Sequence, residues 1–171
     1  MFRRIALVAA AAAAAMLSFA SVASAAPVAR AAPSLTSCAS GWFTISNAGL
    51  PGYAITGQGV NLPVLLTTSG NCFETLYPFT YAGETGYEYQ NGDGHCLWYD
   101  AGFGDEIQMG AACKPGHPNE EFYAIKYSGG GWTVGNIGAS LSDVMDAQYC
   151  QTGPSVVMDT APAPACDKWN F

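Results

Sequence analysis

The feature that most constrains this chain is a phrase that it repeats three times. Phe43-x-Ile45-x-Asn47, Tyr87-x-Tyr89-x-Asn91 and Trp132-x-Val134-x-Asn136 each read aromatic, skip, strand-former, skip, asparagine, with the asparagines 44 and then 45 residues apart. A recurrence at such a period marks a fold built from copies of one unit. Alternating large residues suit a half-buried strand, whose every second side chain faces the core, and asparagine tolerates the turn that follows. Each phrase therefore reads as a strand running into a turn.

Later landmarks keep step with the phrase. An apolar residue follows the turn at Ile55, Leu97 and Leu141, and a strand pair falls at Val64/Leu66, Ile107/Met109 and Val156/Met158. A closing aromatic is expected at Phe79, Phe122 and Trp169, which lie 32, 31 and 33 residues after the asparagines. The alternative is a sandwich whose strands merely have similar lengths. Gly and Pro interrupt every window long enough for an amphipathic helix, and short runs of Val, Ile, Thr and Tyr sit between Gly, Asn, Asp and Pro clusters, the pattern of an all-β chain.

Ahead of the units, residues 1–25 carry Arg3 and Arg4, an apolar run from Ile5, and Ala23-Ser24-Ala25 before Ala26-Pro27, the three-part layout of a secretory signal peptide. Residues 26–37 read as a flexible Ala, Pro and Ser linker, and residues 38–171 as one domain with repeats at about 38–82, 83–127 and 128–171. Without the signal, four basic residues face thirteen acidic ones, a net charge near −9. So acidic a chain neutralises few phosphates, which argues against nucleic acid and anionic membranes as partners. Six cysteines in an exported chain favour three disulfides.

Three units of this length, each with about four short strands, fit a closed threefold barrel, since a propeller needs at least four blades. Here the residues resemble a known family, the β-trefoil lectins of the ricin B-chain type. Gly94-His95-Cys96-Leu97, Ile107-Gln108-Met109, Cys113 and Asn119-Glu120-Glu121-Phe122 look like that family's G-x-C-L, I-Q-L, Cys and N-Q-x-W landmarks, and Asp167-Lys168-Trp169-Asn170-Phe171 is similar to its Q-x-W-x-F close. The resemblance implies a β-trefoil, a Cys96–Cys113 bridge within unit two, and sugar binding. Cys150–Cys166 and Cys38–Cys72 are the next-nearest pairs, with Cys38–Cys166 as a rival that a closed barrel would also permit.

This chain departs from the family at its functional positions. The Gln that ties each unit together is replaced by Tyr77, Glu120 and Asp167, the Asp after the C-L pair by Thr56, Trp98 and Ser142, and the aromatic platform falls near Thr67, Gly110 and Asp159. A saccharide site needs an aromatic face for C–H groups and fixed polar groups for hydroxyls. Trp98, Tyr99 and Asp100 supply both, with Asn119 brought near by the unit's fold, Glu120 beside it as a further candidate, and Ser142 and Asp143 as a weaker second set in unit three. The opposing reading is that Trp98 or Tyr99 packs inward and Asp100 starts the turn at Asp100-Ala101-Gly102.

Catalysis, a cofactor and a metal are not expected. His95 and His117 lack zinc-ligand spacing, and the acidic pairs Asp105-Glu106 and Glu120-Glu121 read as solvated turn residues. Asn91-Gly92-Asp93-Gly94 lacks the oxygen spacing of a calcium loop and reads as a hairpin turn. The expectation is a secreted, monomeric, non-catalytic carbohydrate-binding module. The alternative is a trefoil that binds or inhibits an extracellular protein such as a protease.

Overall fold

The computed structural model describes residues 37–126, 130–151, 153, 155–160 and 166–171, leaving aside the side chain of Phe103. The expected signal peptide, and all but the last residue of the expected linker, lie outside the described residues. Twelve strands follow one another: β1 (Ser46–Asn47), β2 (Ala54–Thr56), β3 (Leu65–Thr67), β4 (Phe73–Tyr81), β5 (Glu84–Asn91), β6 (Leu97–Asp100), β7 (Glu106–Met109), β8 (Phe122–Lys126), β9 (Trp132–Asn136), β10 (Val144–Ala147), β11 (Val156–Asp159) and β12 (Trp169–Asn170). Among the described residues, the helical segments between them are short 3-10 turns at Ala101–Phe103 and Gln148–Cys150. Among the described residues no helix is long and apolar enough to cross a membrane.

Six strands form a barrel. β1, β12, β9, β8, β5 and β4 are antiparallel neighbours in that order. The ring closes where Phe43 and Phe73 exchange backbone hydrogen bonds of 2.9 and 2.8 Å. The other strands make three hairpins, β2–β3, β6–β7 and β10–β11. Each hairpin touches the other two, through Val60 and Pro63 on Met109 and Gln108, Val157 on Glu106, and Leu65 on Ser155. A six-stranded barrel with a triangle of hairpins, generated by three copies of one unit, is a β-trefoil.

The repeated phrase works at the barrel's centre. Ile45, Tyr89 and Val134 are buried. The asparagine two residues on pairs in register with a closing aromatic, Asn47 with Trp169, Asn91 with Phe73 and Asn136 with Phe122. All three rings are fully buried, and each contributes about 2–3 kcal/mol by leaving water. The asparagines are buried too, and each has its amide satisfied by the turn it starts: Asn47 Oδ1 accepts from the N–H of Gly49 and Leu50, Asn91 Oδ1 from Asp93 and His95, and Asn136 Oδ1 from Gly138. Their other ends stitch units together, since Asn47 Nδ2 donates to Cys166 O and Asn136 Nδ2 to Asn119 O.

Three landmarks need correction. The closing aromatic of unit one is Phe73, not Phe79. Both residues lie on β4, but unit one is shorter and reaches its closing aromatic 26 residues after Asn47 instead of the expected 32, while the register shift between Leu76 and Phe79 belongs to the arm beyond it. Phe79 instead lies over Gly86 on the protruding β4–β5 arm, where a Cβ on Gly86 would come within 2.2 Å of its ring. The residue in the family's Gln position is consequently Asn71 rather than Tyr77, and its Oδ1 accepts from Gly57 N–H. In unit three Leu141 is 75% exposed in the turn, and Met145, opposite Met158, takes the core position. The longer turn displaced the landmark by four residues.

Three disulfides, Cys38–Cys72, Cys96–Cys113 and Cys150–Cys166, lie one in each unit with Cα atoms 5.6, 4.8 and 5.4 Å apart.

Candidate functional site

The β6–β7 hairpin sorts its side chains by the two-residue period of a strand. Leu97 and Tyr99 are buried, while Trp98 and Asp100 keep part of their surface. Trp98 lies opposite Gln108 and Asp100 opposite Glu106. The outer face of the hairpin thus carries an indole and a carboxylate two residues apart.

Two residues outside the predicted set hold the indole. A Cβ on Gly110 would sit 3.5 Å from Trp98 Cε3 and 3.4 Å from its Cβ, so the missing side chain leaves room for the ring to lean across the hairpin. His117, on the loop before β8, packs on the indole with ring centroids 4.6 Å apart and planes inclined by 40°. The sequence signal for Gly110 was available, because it falls where the family places an aromatic platform; His117 gave no such signal.

The other predicted residues divide between scaffold and surface. Tyr99 is buried, and its hydroxyl donates to Asp105 Oδ1 at 2.6 Å. Burial, that hydrogen bond and the charges of Asp105, Asp143 and Asp100 push the phenol well above its usual range, so it stays protonated and structural. Asn119 donates from Nδ2 to Tyr99 O, and its own carbonyl accepts from Tyr99 N–H and Asn136 Nδ2. It ties β6 to the next unit rather than pointing at Trp98. Glu120 is 2% exposed, and its Oε2 accepts from Lys114 N–H. The expectation that Glu120 and its neighbour form a solvated pair therefore fails for Glu120, which acts as the internal tie of unit two.

Asp100 uses Oδ1 to accept from Gly102 N–H and caps the 3-10 turn. Asp143 accepts from Ser140 N–H in the turn before β10. The fold brings Asp100 and Asp105 of unit two and Asp143 of unit three around one phenol. Trp98 and Asp100 form the predicted pair that stays together on an accessible face.

Beneath this hairpin lies Glu88, fully buried on β5, with neither carboxylate oxygen hydrogen-bonded. Burial first, then the charges of Glu120 and Glu121, push its pKa up to about 7. The Gly116 N–H, which favours the ionised form, does not reach hydrogen-bond geometry. Glu88 approaches Cys96 and Cys113 with its ligating atom within 4.8 Å of both sulfurs. Those sulfurs are spent on a disulfide, so the trio offers one carboxylate and no thiolate, which is a poor metal set.

No protein-family model matches the chain, and no curated protein matches it. Solved structures do match in shape. The chain is similar to the designed threefold-symmetric protein ThreeFoil, with a TM-score of 0.60 and 11% identity over 75% of this chain and 96% of that one. It is similar to part of a mosquitocidal holotoxin, with a TM-score of 0.61 and 14% identity over 75% of this chain, and it spans 16% of that toxin chain. A chain of the Haemophilus ducreyi cytolethal distending toxin matches with a TM-score of 0.58 and 14% identity over 76% of this chain and 81% of that one. At these identities the likeness is one of fold, and together with the closed ring of six strands and the hairpin triangle it identifies the chain as a β-trefoil.

Proposed function

We propose that this protein is an exported, non-catalytic carbohydrate-binding module of the ricin B lectin-like kind, whose binding face is the outer side of the β6–β7 hairpin. The observation that supports it is the placement of Trp98. Where the resemblance calls for an aromatic platform after the I-Q-L strand, this chain has Gly110, and the indole from the facing strand leans over that glycine. An aromatic face is thus restored from the other side of the hairpin. Asp100, two residues along the same face, supplies an acceptor for sugar hydroxyls. The three disulfides fit an oxidising compartment.

A glycan array with the mature protein tests the reading. Binding that falls at least about tenfold in both Trp98→Ala and Asp100→Ala, with circular dichroism unchanged, supports it. Glycan binding indifferent to Trp98, or no glycan signal at all, removes it. A second reading, attachment to an extracellular protein, draws on Val60 and Leu62, which are 40% and 47% exposed on the loop between β2 and β3. Capture of a secreted protease that Leu62→Asp abolishes would favour that reading.

A further inference from the structure

The aromatic residue that opens each phrase stays out of the deep core. Phe43, Tyr87 and Trp132 are half-buried, two residues before the buried Ile45, Tyr89 and Val134 and on the same strand face. Each third of the chain therefore delivers one ring to the same place. There, with Tyr89 and Phe171, they wall a cavity of about 530 Å³, a volume in the range of small-molecule sites.

The rings stand at several angles to one another. Phe43 stands at 85° to Tyr89 and 67° to Phe171, and Trp132 at 75° to Phe171, with centroids 5.8 to 6.5 Å apart. Tyr89 and Phe171 are near-parallel, at 19° with centroids 5.8 Å apart, and every aromatic face is the negative pole of its ring's quadrupole. The remaining wall comes from the β4–β5 arm, which turns back through Ala82 and Gly83, both at positive φ (50° and 88°), the geometry of a type I′ turn. The arm contributes Thr75, Thr85 and one carboxylate, Glu84, and among the described residues no lysine, arginine or histidine lines the cavity. Trp132 already attracts a cation, since Lys126 Nζ lies 5.9 Å from its ring centroid.

We propose that the cavity framed by Phe43, Tyr87 and Trp132 binds an organic cation of the quaternary-ammonium class, such as the trimethylammonium end of a choline-like molecule, with Glu84 as its counter-charge. A pyranose wants one flat ring beneath it and several converging hydrogen-bonding groups. An alkyl chain gains nothing from a carboxylate. A methylated ammonium uses both the aromatic walls and the carboxylate. The site is separate from the Trp98 face and stands or falls independently of it.

Choline chloride is titrated into the mature protein by calorimetry, with the ligand N-methyl protons followed by NMR. The comparison ligand is 3,3-dimethylbutan-1-ol, which has the same shape without the charge. Millimolar binding of choline with upfield-shifted N-methyl resonances, and at least about fivefold weaker binding of the neutral isostere, is expected. Trp132→Ala should weaken choline about tenfold. Glu84 is exposed on the arm and makes no core contact, so Glu84→Gln leaves the fold intact and should weaken choline by about three- to fivefold. Equal affinity for choline and its isostere, no upfield shift with folded protein, or indifference to Glu84→Gln overturns the proposal. Phosphatidylcholine vesicles separate the sources: co-sedimentation weakened by Glu84→Gln assigns the site to a lipid headgroup, and choline binding without co-sedimentation assigns it to a free cation, either result supporting the site.

Discussion

Replacing Glu88 by glutamine should change how the stability of this protein depends on pH. The side chain is fully buried beside the Cys96–Cys113 bridge, makes no hydrogen bond, and faces the charges of Glu120 and Glu121. Its pKa rises from 4.5 to about 7 in the folded protein, a shift worth about 3 kcal/mol. Below the lower value both states hold the proton, and Glu88 has no pH-dependent effect. Between 4.5 and about 7 the unfolded chain gives up the proton while the folded one keeps it, so stability falls as pH rises. Above that window the folded protein carries a buried, unpaired anion and the loss is complete. Glutamine keeps the shape without the titration. Urea unfolding followed by near-ultraviolet circular dichroism from about pH 4 to about pH 8, disulfides intact, should show the two proteins converging at the acid end and Glu88→Gln ahead by up to about 3 kcal/mol at the alkaline end. Asp146, also buried, with a pKa raised to about 6 by burial and by the charges of Asp159 and Asp167, tilts both curves the same way and cancels in the difference. Parallel curves across the whole range would refute the claim that Glu88 is held protonated.

Other consequences can be measured on the same footing. Asn136→Ala removes the hydrogen bond accepted from Gly138 N–H within unit three and the one donated to Asn119 O that joins units two and three, and should cost about 2–3 kcal/mol in urea unfolding. Gly138→Ala places a Cβ 2.1 Å from Asn119 Oδ1; a loss of about 1–3 kcal/mol is expected, read as a drop of several degrees in Tm. Replacing Cys96 and Cys113 together by alanine opens a loop of sequence separation 17 and should lower stability by about 3 kcal/mol.

Much of the architecture was legible because the repeated phrase encodes a physical requirement three times. Each strand must bury its middle residue and then turn, and an asparagine satisfies the turn's N–H groups from inside. Identities at Val64/Leu66, Ile107/Met109 and Val156/Met158 then followed from the period, and all six side chains are buried. The period failed where local chain length varied. Phe79 and Leu141 were misplaced because unit one is shorter between Asn47 and its closing aromatic and the turn before β10 is longer, which changes the count without changing the residue types. The candidate site was legible only in part, since alternation separates Trp98 and Asp100 from Tyr99 but does not say which pair faces outward. Nothing local predicts that Asn119 is consumed in joining units, or that Glu120 is buried. The cavity at Phe43, Tyr87 and Trp132 depends on ring closure, which brings together residues about 45 positions apart.

The pairing of Ser46 and Asn47 with Asn170 and Trp169 has a kinetic side. The first barrel strand finds one of its two neighbours only after more than a hundred intervening residues have been made, so the barrel cannot be completed early in synthesis and its last joint is its most non-local one. The same adjacency makes the molecule a natural subject for circular permutation: with the two outer strands side by side, a new opening cut at Ala82-Gly83, at the tip of the arm, would leave every neighbour relation of the ring in place.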